Sequence, residues 1–155
     1  MIDKFSNIFD GLKAAYGTYK INGRDTKGKA TGKATVVKES RTTETWEAHL
    51  SGQQSIGIIP INEDNQCKWG CIDVDEYNFN HQELIERLQK AKLPLVVCRS
   101  KSGGAHVFLF TTEFIPAKDM QETLKRLAVS LGYGSCEIFP KQIVLHLERG
   151  DVGNF

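Results

Sequence analysis

Apolar residues recur along the chain in more than one rhythm, and the changes of rhythm divide it into elements. Ile2, Phe5, Phe9, Leu12 and Tyr16 recur every three or four residues and stop at Gly17, which predicts an amphipathic helix with a glycine terminator. A basic, glycine-rich stretch through Gly32 then reads as loop or hairpin. Beyond it, Ala34 to Lys38 reads as a short strand, Thr43 to Leu50 as a helical turn, and Ser55 to Ile61 as an apolar strand ending near Pro60. Residues 1–62 are therefore expected to form a small N-terminal α/β module, and residues 63–155 a second one.

From Lys68 onward the pattern is cleaner. Residues 68–75, KWGCIDVD, have the composition of a buried strand, and Asn80 caps a helical stretch from His81 to about Lys92 with Leu84, Ile85 and Leu88 on one face. Pro94 stops that helix, PLVVCRS makes a second strand, Ser102-Gly103-Gly104 turns it, and AHVFLFTT makes a third. Pro116 opens another helix from Ala117 to Leu131, with Met120, Leu124, Leu127 and Ala128 inward and Gly132 ending it. CEIF and QIVLHL are expected as closing strands. Residues 68–139 thus spell β-α-β-β-α-β, the split βαβ unit of ferredoxin-like and RNA-recognition folds. The expected class is α+β, an RRM-like sheet with helices on one face beside the small N-terminal module. In such a unit the first and third strands are antiparallel central neighbours, and the fourth lies antiparallel on the other side of the first.

Composition sets boundaries on this picture. A chain of 155 residues, 40% apolar and 25% charged, has ordinary globular composition and can bury one core. No apolar run approaches the ~20 residues of a membrane-crossing helix, and MIDKFSNIF lacks a basic segment followed by an apolar one, so a cytoplasmic protein without a membrane partner is expected. Cys67, Cys71, Cys98 and Cys136 are few, and three fall in expected core strands, which argues for reduced thiols over a disulfide framework. Cys67 and Cys71 have no second Cys or His pair positioned to complete a zinc tetrahedron. The net charge is only +1, but it is segregated: seven Lys/Arg stand against two acids from Lys20 to Arg41, whereas Lys68 is the only Lys or Arg from Glu63 to Glu86. The basic run fits either a solvated loop or a surface for nucleic-acid phosphates, with Lys27, Lys29 and Lys33 as candidate template-binding residues.

The chemistry follows from strand periodicity. Side chains two apart on a strand share a face, so Asp73 and Asp75 point together, with Ile72 and Val74 on the helix-packed side. His106, Phe108 and Phe110 share a face on the third strand, and Glu137 and Phe139 on the fourth. The topology gathers Asp73, Asp75, Glu137 and His106 at one end of the open face, where three carboxylates would repel one another without a cation. Carboxylate oxygens suit Mg²⁺ or Mn²⁺, and two such ions ~3.5–4 Å apart activate an attacking hydroxyl and stabilise departing pyrophosphate, the chemistry of nucleotidyl transfer. Arg99, Lys101, Ser102, Gly103 and Gly104 supply cations, a hydroxyl and approachable backbone N–H groups suited to a nucleoside triphosphate, with His106 and Lys141 completing the cradle. Taken singly, a D-x-D is also a solvated strand end, a strand histidine a structural residue, and S-K-S-G-G a hairpin turn; convergence at one sheet end is what makes them a candidate site.

These residues lie within blocks that resemble a known family. Phe9 to Tyr16, HLSG at 49–52 followed by IGIIPI, WGCIDVDEY at 69–77, RSKSGGAHVFLF at 99–110 and CEIFPKQ at 136–142 are similar to the catalytic domain of archaeo-eukaryotic-type primases, particularly phage and bacterial conflict-system primase-polymerases. The resemblance implies that the family's acid pair falls on Asp73 and Asp75, its small-x-His motif on Gly104, Ala105 and His106, and its third acid on Glu137. It further implies that Arg99, Lys101, Ser102 and His106 contact the incoming nucleotide's phosphates, and that the partners are a single-stranded DNA template and a primer in a bacterial or phage-infected cell. Such domains normally continue past a segment like GDVGNF, so a truncated form or N-terminal fragment is expected, with a fused or associated helicase as a further partner.

Three rivals remain open at this level. A noncatalytic RNA-recognition module has the same element order but stacks bases on exposed central-strand aromatics, whereas this first strand presents acids. A metal-dependent nuclease also uses clustered acids with a lysine. A degenerate relative would keep the fold for nucleotide sensing or protein interaction.

Overall fold

A computed structural model describes residues 2–24, 26, 30–76 and 78–155. Among the described residues four α-helices and two antiparallel sheets make an α+β fold. Helix α1 (Ile2–Ile8) leads to a hairpin of β1 (Tyr16–Arg24) and β2 (Ala30–Val37), followed by α2 (Thr43–Leu50). Then come β3 (Gln66–Val74), α3 (His81–Lys90), β4 (Leu95–Arg99), β5 (Ala105–Pro116), α4 (Ala117–Ser130) and β6 (Glu137–Phe139). The second sheet runs β4-β5-β3-β6 with every neighbour antiparallel.

The ends of these elements have local causes. Thr42 and Thr45 close a reciprocal cap on α2, and the Asn80 side chain accepts from Glu83 N at 3.1 Å to start α3. Ala117 N, the first donor of α4, finds Asn65 O at 2.9 Å. The sheet's helix face carries Ile72, Val74 and Val107, all fully enclosed, under Leu84 and Leu88 of α3 and Met120, Leu124 and Ala128 of α4. This alternation of enclosed and outward residues on β3 and β5 fixes register, because a slip by one residue would turn the acids inward.

Four sequence expectations are corrected. The first helix does not reach Tyr16: after Ile8 the Asp10 side chain accepts from Gly11 N at 2.8 Å, and Leu12 N pairs with Ile59 O at 3.0 Å, so the chain leaves the helix to bury Leu12. Tyr16 and Gly17 instead begin β1. Ser55 to Ile61 makes one isolated bridge, Gly57 to Gly17, and otherwise packs Ile59 and Ile61 into the core as irregular chain. Residues 142–147, expected as a strand, pair with no strand among the described residues: Leu145 N is taken by Asn65 Oδ1 at 2.7 Å, burying Leu145 and leaving Ile143 and Val144 exposed. Cys98, expected in a core strand, is exposed on the edge strand β4, while Cys67 and Cys71 are buried free thiols.

The N-terminal part lies over the open face of the four-stranded sheet. Phe9 sits edge-on to Trp69 at 5.4 Å and to Phe108 and Phe110 at 5.5 Å each, and Phe5 bridges Phe9 to Trp46 of α2. Arg41 ties this cover down by donating to Leu12 O at 2.6 Å and Ala15 O at 3.2 Å.

Candidate active site

Directly opposed residues of an antiparallel ladder present their side chains to the same face. Across the four strands, Cys98 of β4 opposes His106 of β5, His106 opposes Asp73 of β3, and Asp73 opposes Glu137 of β6. One step along the face runs a second row of Val96, Phe108, Cys71 and Phe139, and beyond it Phe110 opposes Trp69. The open face is thus polar at one end and aromatic at the other, with the N-terminal cover lying on the aromatic end.

Asp73 holds the centre of the polar row. Its side chain is 25% exposed, and His106 Nε2 stands 3.4 Å from its Oδ1, within ion-pair range but without hydrogen-bond geometry. That Oδ1 is the sole enclosed side-chain polar atom without a hydrogen-bond partner among the described residues. An unsatisfied buried acceptor costs about 1–3 kcal/mol, and what would satisfy it is a donor or cation from outside the chain. Glu137 is turned outward and accepts from Lys141 Nζ at 2.9 Å, so Lys141 serves an acid of the row directly.

The turn between β4 and β5 closes the same end of the sheet. Gly103 has φ +97°, a conformation that favours glycine, and a Cβ on Gly104 would fall 2.0 Å from Val74 O, so the turn is pressed against the end of β3. Ser102 Oγ donates to Asp75 Oδ1 at 3.1 Å and meets Ser100 Oγ at 3.0 Å. Asp75 lies just past β3, exposed and committed to this turn, so strand alternation does not extend to it. Among the described residues no group of three His, Cys, Asp or Glu side chains stands close enough to hold a metal ion. Ser102 engages Asp75 and Lys141 engages Glu137.

Arg99 departs from expectation. It is in register with Ala105, which opposes Val74, and this row belongs to the helix face, so Arg99 emerges at the strand end on the side away from Asp73. Lys101 is exposed, with its ammonium over the Tyr19 ring of β1 at 4.6 Å. Lys33 lies on β2 directly opposite Lys20 of β1, both exposed. Lys27 and Lys29 lie outside the described residues.

Two histidines escaped sequence reasoning. His81, the first residue of α3, donates from Nε2 to Gly104 O at 2.9 Å, and that carbonyl also accepts from Ser100 N at 2.9 Å, so α3 supports the turn from behind. His49 of α2 lines a cavity of about 370 Å³ that Asp73, His106, Trp46, Trp69 and Phe155 also border. Its Nδ1 donates to Gln54 O at 3.1 Å, leaving Nε2 as the free ring nitrogen. The signal for His49 was the HLSG block, which carries no chemistry by spacing; His81 carried no signal.

The model of the archaeo-eukaryotic primase domain of the TOTE conflict system matches residues 5–155. The chain belongs to this family. No curated protein matches it. Membership makes this a primase-type, nucleotidyltransferase-like domain, and the match runs from within α1 to the C-terminal segment. No helix among the described residues of the primase domain is long and apolar enough to cross a membrane.

A divalent metal, expected from the sequence, would find oxygen donors here. Asp73 offers an enclosed carboxylate oxygen lacking a partner, Glu137 is its cross-strand neighbour, and Asp75 follows two residues on. All three offer the hard oxygen ligands that Mg²⁺ and Mn²⁺ prefer. Burial pushes the Cys71 thiol well above the ordinary thiol range, with the Asp73 carboxylate adding to the rise.

Proposed function

We propose that this domain is a template-dependent nucleotidyltransferase, a DNA primase or primase-polymerase that joins nucleotides on single-stranded DNA. The observation that carries the reading is the row His106–Asp73–Glu137 across three strands, with an enclosed, unpartnered Asp73 oxygen beside a glycine-rich turn. Asp73, Asp75 and Glu137 would hold the metals, which when bound supply charge neutralisation for the transferring phosphoryl group and the departing pyrophosphate. The chain's own residues would do the rest. Lys101, Ser102 and the Gly103 and Gly104 backbone would receive the polyphosphate, and His106, beside the acids, would donate to a phosphate oxygen from its exposed ring. Lys141 and Arg99 would contribute charge from the flanks.

The strand order β4-β5-β3-β6 and the helices on one face support an RRM-like assignment of the sheet, within a core assembled from residues 1–62 and 63–155. The alternative of a noncatalytic base-stacking module is disfavoured by Phe9, which covers Phe108 and Phe110. Lys20 and Lys33, like charges placed opposite one another on the hairpin, support a phosphate-binding role for it, since an anion between them would relieve their repulsion. A fused or associated helicase and a cytoplasmic setting complete the reading.

The test is incubation with labelled nucleotides, single-stranded DNA and Mn²⁺ or Mg²⁺, with and without a primer. Extension only with a primer indicates a polymerase, product without one a primase. A shortened template with no incorporation would replace the reading by a nuclease.

A further inference from the structure

The turn that forms the polyphosphate cradle is fixed on most sides. Gly104 abuts β3, Ser102 is tied to Asp75, and Ser100 is buried with its N–H on Gly104 O. Lys101, between the two serines, is exposed, and a lysine side chain left free samples many rotamers. Its ammonium nevertheless has a fixed neighbour, the Tyr19 ring of the β1–β2 hairpin, 4.6 Å from its centroid.

Tyr19 is itself held in place. Ser55 Oγ accepts from Tyr19 N and donates to Tyr19 O, each at 2.8 Å, which clamps its backbone from outside the hairpin. On the other strand Gly32 leaves room for the ring: a Cβ there would fall 2.2 Å from Lys20 O and 2.8 Å from the Tyr19 Cε1. A side chain at residue 32 would displace the ring that Lys101 uses. An aromatic face attracts an ammonium electrostatically without neutralising its charge, so the contact confines Lys101 while leaving N–H donors on its far side available to phosphate oxygens.

We propose that Tyr19 is a positioning residue that holds the Lys101 ammonium at the mouth of the cradle and thereby raises affinity for a polyphosphate. The inference rests on reading the Lys101–Gly104 turn as that cradle. It links the basic hairpin to the nucleotide site through one side-chain contact, and it assigns Gly32 and Ser55 as the supports of that contact.

The experiment measures binding of inorganic tripolyphosphate and of ATP, together with the KM for nucleotide, in Tyr19→Phe, Tyr19→Leu, Lys101→Met and the Tyr19→Leu/Lys101→Met pair, each checked by thermal melting. Tyr19→Leu is expected to weaken tripolyphosphate binding and raise KM about two- to five-fold with kcat unchanged, the size of an exposed cation–π contact. Tyr19→Phe, which keeps the ring, should behave as the parent, and Tyr19→Leu should add nothing once Lys101 is Met. Unchanged or tighter binding in Tyr19→Leu, an equal loss in Tyr19→Phe, or an undiminished effect in the Lys101→Met background overturns the proposal. Should Lys101→Met itself leave tripolyphosphate affinity unaltered, the cradle reading fails along with it, whereas weakening by Lys101→Met with none by Tyr19→Leu defeats only the role of Tyr19.

Discussion

The two ends of one sheet face were built from the same strands by the same alternation, yet they are opposites. At the aromatic end Trp69, Phe108 and Phe110 are packed under Phe9, and every ring has a neighbour within ordinary aromatic contact distance. At the polar end, Asp73 keeps an enclosed oxygen with no hydrogen-bond partner among the described residues, with His106 Nε2 3.4 Å away. The first end contributes stability through burial; the second gives up stability to hold charge in place. That division is what a catalytic face requires, since groups that are fully satisfied within the chain have nothing left for a ligand.

The largest effect that would break this comparison comes from the acids. Replacing both Asp73 and Asp75 by Ala should lower nucleotide incorporation at least about a hundred-fold while changing the melting temperature by only a few degrees, because removal of an unsatisfied acceptor offsets the loss of the Ser102–Asp75 bond. Incorporation that survives the double change, measured with labelled nucleotide, would remove the acids from the chemistry.

At the aromatic end the expectation is reversed. Phe9→Ala should cost about 2–3 kcal/mol of unfolding free energy, somewhat below a fully buried phenylalanine, as read by denaturant titration. A smaller stability effect than that of Asp73→Ala would show that the two ends are not divided in this way. Gly104→Ala sharpens the polar end: its methyl would meet the Val74 carbonyl, a backbone atom that cannot swing away, so the turn must shift. A loss of roughly ten-fold in triphosphate affinity is expected, with melting lowered by only a few degrees.

The thiols test the contrast most gently. Cys98 in the polar row is exposed and Cys71 in the next row is buried, so alkylation at neutral pH should label Cys98 and spare Cys71 until the protein unfolds, read by peptide mass. Burial likewise pushes the Cys67 thiol up to about 12. Above the ordinary thiol value the unfolded chain loses this proton while the folded chain keeps it, so stability falls as pH rises. Between pH 9 and 10 the fall due to Cys67 should be about 1 kcal/mol, and it should vanish in Cys67→Ala.

Much of this could be read from residue order. From Gln66 to Phe139 the strands and helices announced themselves because their periodicity, caps and breakers act over a few residues, as at Asn80, Pro116 and Gly132. The Ser102-Gly103-Gly104 turn, with Gly103 at positive φ, was legible for the same reason. The errors fell where a distant residue decided the outcome. Ile59 draws Leu12 out of the first helix, and Asn65 takes the Leu145 N–H from a would-be strand. Both are contacts between segments far apart in sequence, to which local propensity is blind.

The sequence by itself thus determined which residues could carry charge, which face Asp73, His106 and Glu137 would share and where the tight turn must lie, since these follow from the two-residue repeat of a strand and the conformational freedom of glycine. Only the tertiary structure decided that Asp73 is left unpartnered while Ser102 and Lys141 take Asp75 and Glu137, that Arg99 faces away, that His81 braces the turn, and that Tyr19 meets Lys101. Hydrogen bonds and ion pairs have a reach of a few ångströms, and which groups come within that reach is settled by how whole elements pack.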